Sequence, residues 1–144
     1  IEGGSYTGID NWCVEAPPDS RIRDRAHANI RKAVNGRPIP WRLIYDDSAR
    51  ALTQLNEDGA RFDVIYIDDQ HTYDRALQNS RLAWPLLRPD GYLIWDDIHF
   101  DKAPNQDVGP VGKAVDTFLA EVGLDRSRAA IFDRQAVVKR PTGT

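Results

Sequence analysis

The residues best placed to do chemistry are three aspartates and a histidine near the middle of the chain. Asp68 directly follows the apolar run Phe62–Ile67, and Asp96-Asp97 directly follow Gly91–Trp95. If these runs are neighbouring strands, their ends lie about 5 Å apart. Three carboxylates that close repel one another unless a cation sits between them or some take up protons. Hard oxygen donors with room for water suit Mg²⁺, Mn²⁺ or Ca²⁺. Each aspartate could instead cap a following helix, and capping and cation binding can coexist. His71 lies three residues beyond Asp68, beside the same place. A neutral imidazole there can take a proton from a substrate hydroxyl; the alternative is a surface or capping histidine. His99, two residues beyond Asp97, is a weaker candidate for the same task, and His27 is given none.

Two further acidic strand ends extend the pattern. Asp10 closes the weak run Ser5–Ile9, and a carboxylate at such a place commonly receives ribose hydroxyls. The run Trp41–Tyr45 ends in Asp46-Asp47, and Asp47-Ser48 there could accept from an adenine amino group. Each alone is a weak signal. Four acidic strand ends together carry more weight than any one of them.

The elements that must position these residues alternate. The runs Phe62–Ile67 and Gly91–Trp95 are rich in β-branched and aromatic residues without clean alternation, which reads as strands buried on both faces of a parallel sheet. Ile22, Ala26, Ile30 and Ala33 recur at helical spacing within Arg21–Val34, and Asn35-Gly36 supplies a stop. Ser48 can cap a short helix through Leu55, with Leu52 and Leu55 inward. Tyr73, Leu77, Ser80 and Trp84 form a stripe whose helix must end near Ala83, because Pro85 lacks an N–H and its ring clashes one turn back. Arg88-Pro89-Asp90-Gly91 reads as a turn. Val115, Phe118, Leu119 and Val122 mark another helix, closed by Gly123. Ala129–Phe132 and Gln135–Lys139, joined by Asp133-Arg134, read as an antiparallel hairpin. The fold class expected is α/β: a doubly wound, mostly parallel, Rossmann-like sheet with a C-terminal antiparallel hairpin and ligands at the carboxyl ends of the strands.

Composition narrows the classes of partner. The 144 residues make about one domain, 28% of them charged, with a net charge of -3. No basic stripe points to nucleic acid, and no apolar run is long enough for a membrane span. The single cysteine, Cys13, cannot pair within the chain, and it reads as structural in a reduced, cytoplasmic setting.

The stretch Phe62–Phe100, with FDVIYIDDQHTYD and LLRPDGYLIWDD, resembles the class I S-adenosylmethionine-dependent methyltransferases. It is most similar to the small-molecule branch that includes metal-dependent sugar and catechol-type O-methyltransferases. YDDSARAL, GIDNW and GPVGKAVDTFLAE resemble further family segments more loosely, so the resemblance covers nearly the whole chain. It implies methyl transfer from S-adenosylmethionine to a hydroxyl of a small-molecule acceptor. Asp10 would hold the cosubstrate's ribose, and Asp47 with Ser48 would approach its adenine. Asp68, Asp96 and Asp97 match metal-ligand positions for Mg or Mn, and His71 matches the general base.

One family feature is hard to place, the first strand with its glycine-rich loop. Ile1–Gly8 could be that loop, with a helix through Trp12–Ala16. Alternatively, Ile9-Asp10 ends the second strand and the first βα unit is missing. The second assignment is preferred. It makes 1–144 a single methyltransferase-like domain that is N-terminally truncated or completed by another segment. An incomplete sheet also favours self-association. The competing functions are a degenerate or partner-completed relative without activity alone, and a metal-dependent nucleotide-sugar transferase. The latter needs one acidic motif, whereas this chain repeats it. The acceptor is not legible.

Overall fold

The computed structural model describes residues 4–11 and 20–143; Cys13 and the alternative helix through Trp12–Ala16 lie outside the described residues. Internal contacts divide the chain into two compact units, Ile1–Ala51 and Leu52–Thr144.

The first unit contains β1 (Tyr6–Asp10), α1 (Ser20–Val34) and β2 (Trp41–Tyr45), and it ends within α2 (Ser48–Glu57). β1 and β2 pair in parallel, with Asp10 opposite Tyr45. β1 therefore ends at Asp10, where the preferred assignment of the N-terminus puts a strand end. Asn35 and Gly36 both take positive φ after α1, the left-handed stop that only such residues adopt cheaply. His27 packs edge-on against Trp41 at 5.3 Å between centroids and hydrogen-bonds the Tyr45 hydroxyl, tying α1 to β2.

The second unit contains β3 (Phe62–Ile67), α3 (Tyr73–Ala83), β4 (Leu87–Trp95), α4 (Pro110–Glu121), β5 (Ala129–Phe132) and β6 (Gln135–Lys139). Its sheet runs β3-β4-β6-β5, parallel between β3 and β4 and antiparallel through the β5–β6 hairpin. α3 stops at Ala83, followed by a single 3-10 turn through Pro85, as the missing N–H requires. The core is one-sided. Leu93 and Trp95 of β4, with Ala136 and Val138 of β6, are fully buried on the face that meets both helices. Trp95 donates its indole N–H to Ser80 Oγ at 2.7 Å, Ser80 donates in turn to the Ala76 carbonyl, and the indole lies 5.8 Å from the Phe118 ring. The indole N–H and the Ser80 hydroxyl are thus satisfied inside the core.

Two expectations change. The strands were expected to be buried on both faces, yet Val64 and Tyr92, which face each other across the β3–β4 pair, stay exposed. Both helices of this unit cover the Trp95 side, so their burial protects one face only. Arg88–Gly91 is not a turn before a strand but a bulge inside β4: Leu87 pairs with Phe62 and Tyr92 with Val64. Asp90 adopts positive φ there, and a side chain at Gly91 would crowd the carbonyls of Arg88 and Asp63. No helix among the described residues is long and apolar enough to cross a membrane.

Candidate metal and proton-transfer site

The site forms where β3 and β4 end side by side. The Asp96 N–H donates to the Ile67 carbonyl at 3.0 Å, carrying the parallel ladder one step past the strands. Asp68 and Asp96 therefore leave the sheet at neighbouring points. Thr72 caps α3, and the short Asp68–Thr72 connection turns His71 back over the strand ends. Asp97 takes φ 52°, a left-handed conformation that aspartate tolerates, and the tight turn is closed by Phe100 N–H to the Asp97 carbonyl at 2.9 Å.

Three of the four central candidates converge. His71 Nε2 lies 3.1 Å from Asp97 Oδ2 and 3.9 Å from Asp68 Oδ1. Among the described residues, Asp68, His71 and Asp97 are the group able to hold a metal ion, one donor atom from each lying within 4.8 Å of the others. Donors bound together at about 2.1 Å from an octahedral cation stand roughly 3–4 Å apart, so small rotations bring these into range. His71 Nε2 is buried and, among the described residues, lacks hydrogen-bond geometry to any partner, despite its closeness to Asp97. An atom left so is suited to a cation or to an incoming hydroxyl. The donor set of two carboxylates and an imidazole fits Mg²⁺ or Mn²⁺.

Asp96 stands apart from this group. Its Oδ2 accepts the Tyr66 hydroxyl, and its Oδ1 accepts the Asp97 N–H at 2.8 Å. The Tyr66 hydrogen bond holds the Asp96 carboxyl below its ordinary range. The same bond, with burial and the Asp96 charge, pushes the Tyr66 phenol up to about 12. Desolvation raises the Asp68 carboxyl, and the charges of Asp96 and Asp97 add to it, while His71 and Arg134 act the other way.

The remaining candidates sit elsewhere. Asp10 is the exposed last residue of β1. Asp47 Oδ1 accepts from the N–H groups of Ala49 and Arg50 at 3.0 and 3.3 Å, so Asp47, not Ser48, caps α2. Ser48 is the first residue of that helix. Asp10 and Asp47-Ser48 lie at the carboxyl end of the same two-stranded sheet. His99 is outside the Asp68 group, with its Nδ1 buried and without a hydrogen-bond partner among the described residues.

Three further side chains support the site. Arg134 Nη1 lies 3.0 Å from Asp97 Oδ1, and the Arg134 carbonyl accepts from Ile98 N–H at 3.0 Å. In sequence Arg134 is only part of a hairpin connection, and no local motif marks it. Tyr66 was detectable as the penultimate residue of an acidic-ended strand. Phe100 lies against the His71 ring with centroids 4.5 Å apart.

Residues 2–98 match a family described as a methyltransferase domain. No curated protein sequence matches the chain. A protein from Corynebacterium glutamicum has 18% identity and a TM-score of 0.64 over 96% of this chain and 61% of its own. The O-methyltransferase NovP has 15% identity and a TM-score of 0.63 over 96% of this chain and 60% of its own. MycE, a methyltransferase from the mycinamycin biosynthetic pathway in complex with Mg and SAH, has 14% identity and a TM-score of 0.58 over 97% of this chain and 46% of its own. The chain spans less than two thirds of the length of each of these three proteins. The likeness shows a Rossmann-like α/β fold, and the match over 2–98 shows that this chain belongs to the methyltransferase-domain family.

Proposed function

We propose that the protein transfers a methyl group from S-adenosylmethionine to a hydroxyl of a small molecule, with Mg²⁺ or Mn²⁺ held at Asp68 and Asp97. The observation that carries this reading is the convergence of Asp68, His71 and Asp97 at adjacent strand ends in a methyltransferase-family chain. The hydroxyl oxygen attacks the methyl carbon, the carbon–sulfur bond breaks to leave S-adenosylhomocysteine, and His71 Nε2 takes the hydroxyl proton. A bound cation would orient the hydroxyl and lower its pKa. Arg134 keeps Asp97 turned toward His71, and Asp96 supports the turn from its place against Tyr66. Asp10, Asp47 and Ser48 are assigned to the cosubstrate's nucleoside. The complexes of MycE with Mg and SAH, and of a Bacillus cereus O-methyltransferase with SAH, support the choice of cosubstrate and metal. In this reading 1–144 is one methyltransferase-like domain.

A second arrangement is favoured by the 3.1 Å approach of His71 to Asp97: His71 as a third metal ligand rather than a base. His71→Asn separates the two. A base loses methyl transfer and leaves Mn²⁺ affinity unchanged, whereas a ligand loses both.

The test of the whole is S-adenosylhomocysteine titrated into the chain by calorimetry, with and without Mg²⁺, beside Asp10→Ala. Heat that disappears in Asp10→Ala supports a functional methyltransferase pocket. Silence at millimolar ligand refutes activity of this chain alone and leaves the degenerate or partner-completed relative.

A further inference from the structure

We infer that Arg134 is a positioning residue that tunes which divalent cation the site takes: it leaves Asp97 one oxygen to offer, and so shifts the preference from Ca²⁺ toward Mg²⁺ or Mn²⁺. The inference rests on the proposed metal-assisted reading and adds to it the choice of ion.

Asp97 is held at three points by its own chain. Its N–H donates to Asp96 Oδ1 at 2.8 Å, and its carbonyl accepts from Phe100 N–H at 2.9 Å. Its Oδ1 lies 3.0 Å from Arg134 Nη1. Its Oδ2 is the oxygen turned to the shared point, 3.1 Å from His71 Nε2. Asp97 therefore meets Asp68 and His71 with one carboxylate oxygen, while a guanidinium occupies the other.

That guanidinium stands on a fixed base. Arg134 follows Asp133, whose positive φ makes the tight β5–β6 connection. The Arg134 carbonyl accepts from Ile98 N–H at 3.0 Å, so the hairpin is docked on the turn that carries Asp97. The next residue, Gln135, donates from Nε2 to the Tyr66 hydroxyl at 3.1 Å, and that hydroxyl donates to Asp96. The hairpin tip thus reaches both aspartates of the β4 doublet, Asp97 by charge and Asp96 through Tyr66. A guanidinium keeps its charge at every working pH and holds its donors in a rigid plane.

The consequence lies in coordination. Ca²⁺ takes about six to eight oxygens and often uses both oxygens of one carboxylate. Mg²⁺ demands a tight octahedron and keeps several waters, and Mn²⁺ accepts the same geometry. An Oδ1 turned to Arg134 is lost to the larger ion, whereas the smaller ions need only Oδ2. The positive charge of Arg134 repels all divalent ions alike, so it lowers their affinities together without changing their order.

The test measures Mn²⁺ affinity of the full chain by electron paramagnetic resonance, and Mg²⁺ and Ca²⁺ affinities by displacement of bound Mn²⁺. Wild type, Arg134→Ala, Arg134→Gln and Arg134→Lys are compared. The ratio of Ca²⁺ to Mn²⁺ affinity is expected to rise about tenfold in Arg134→Ala and Arg134→Gln, the lower end of the effect of groups that orient metal ligands. The ratio of Mg²⁺ to Mn²⁺ affinity should not move. Arg134→Lys keeps a charged donor and should stay close to wild type. A lost charge or a loosened fold shifts all three ions together. An unchanged Ca²⁺ to Mn²⁺ ratio in Arg134→Ala and Arg134→Gln therefore overturns the inference and leaves the metal reading standing. Loss of all cation binding in both variants overturns it too, since Arg134 would then build the site rather than select its ion. Failure of wild type to hold Mn²⁺ overturns the metal reading, and the role of Arg134 falls with it.

Discussion

The acidic doublet after β2 and the two doublets after β3 and β4 look alike in sequence and do different work. After β2, Asp46 accepts from Asp47 N–H and from the Arg50 guanidinium, while Asp47 caps α2. Both carboxylates hold the start of a helix. After β3, Asp69 does the holding: it accepts from Gln70 N–H at 2.7 Å and from Asn79 Nδ2 at 2.8 Å, with Arg75 Nε 3.3 Å away. Asp68 is left to face His71. After β4, Asp96 is bound to Tyr66 and Asp97 N–H, and Asp97 faces His71. The lesson is a division of labour within a doublet. One carboxylate fixes the local backbone, and the other is thereby aimed at a shared point.

The comparison can be broken most sharply at Asp97. Asp97→Asn removes one of two anionic donors, and the expected loss is about a hundredfold in Mn²⁺ affinity, the upper end of effects seen even for outlying metal-site groups. Asp46→Asn should leave Mn²⁺ binding unchanged, read by the same resonance titration. Equal losses in both variants would show that the doublets are not different after all.

Asp69→Ala should come next, and on stability rather than metal. It removes the Asp69 acceptor from the amide of Asn79, which is 2% exposed, at a cost of about 1–3 kcal/mol in urea unfolding. A change below a few tenths of a kcal/mol would mean that Asp69 is not the holding member of its pair.

Asp47→Ala removes a helix cap and should cost about 1 kcal/mol, measured in the same way. Asp47→Asn, which keeps an acceptor, should recover most of that loss. If the loss appears instead in S-adenosylhomocysteine binding with stability untouched, the doublet after β2 is functional in the same sense as the others.

The smallest effect is expected at Tyr66→Phe, below about 1 kcal/mol because the pair is largely open to solvent. Its pH dependence is the informative part. Asp96 is held below its ordinary 3.8, so the stability it contributes is present above that value and is lost as pH falls through its lowered value in the fold. Tyr66 is raised from 10.0 to about 12, so its contribution is present below 10.0 and is lost as pH rises toward 12. The difference in stability between wild type and Tyr66→Phe should therefore form a plateau from weakly acid to mildly alkaline pH and shrink at both ends. A difference that grows at either extreme would contradict the Tyr66–Asp96 bond.

Much of this arrangement was legible in sequence, for local reasons. Pro85 and Gly123 end helices through backbone sterics that need no tertiary context, and the observed bounds of α3 and α4 follow them. The β5–β6 hairpin needed only a short connection, and Asp133 supplies the positive φ at its turn. The β4 bulge was hidden because Arg88-Pro89-Asp90-Gly91 has turn chemistry whether or not a strand continues around it. One-sided burial of β3 was hidden for a different reason: an apolar run does not record how many of its faces are covered.

The chain's own residue order thus determined the strands and helices, the placement of aspartates at the strand ends, and the closeness of His71 to Asp68. Those follow from periodicity, breakers and short spacing, which act within a few residues. Tertiary structure alone decided which aspartate of each pair faces the site. It turned Asp96 to Tyr66, brought Arg134 from the far hairpin to Asp97, and laid Phe100 on His71. The orientation of a carboxylate is set by whichever donor reaches it, and those donors arrive from elements dozens of residues away.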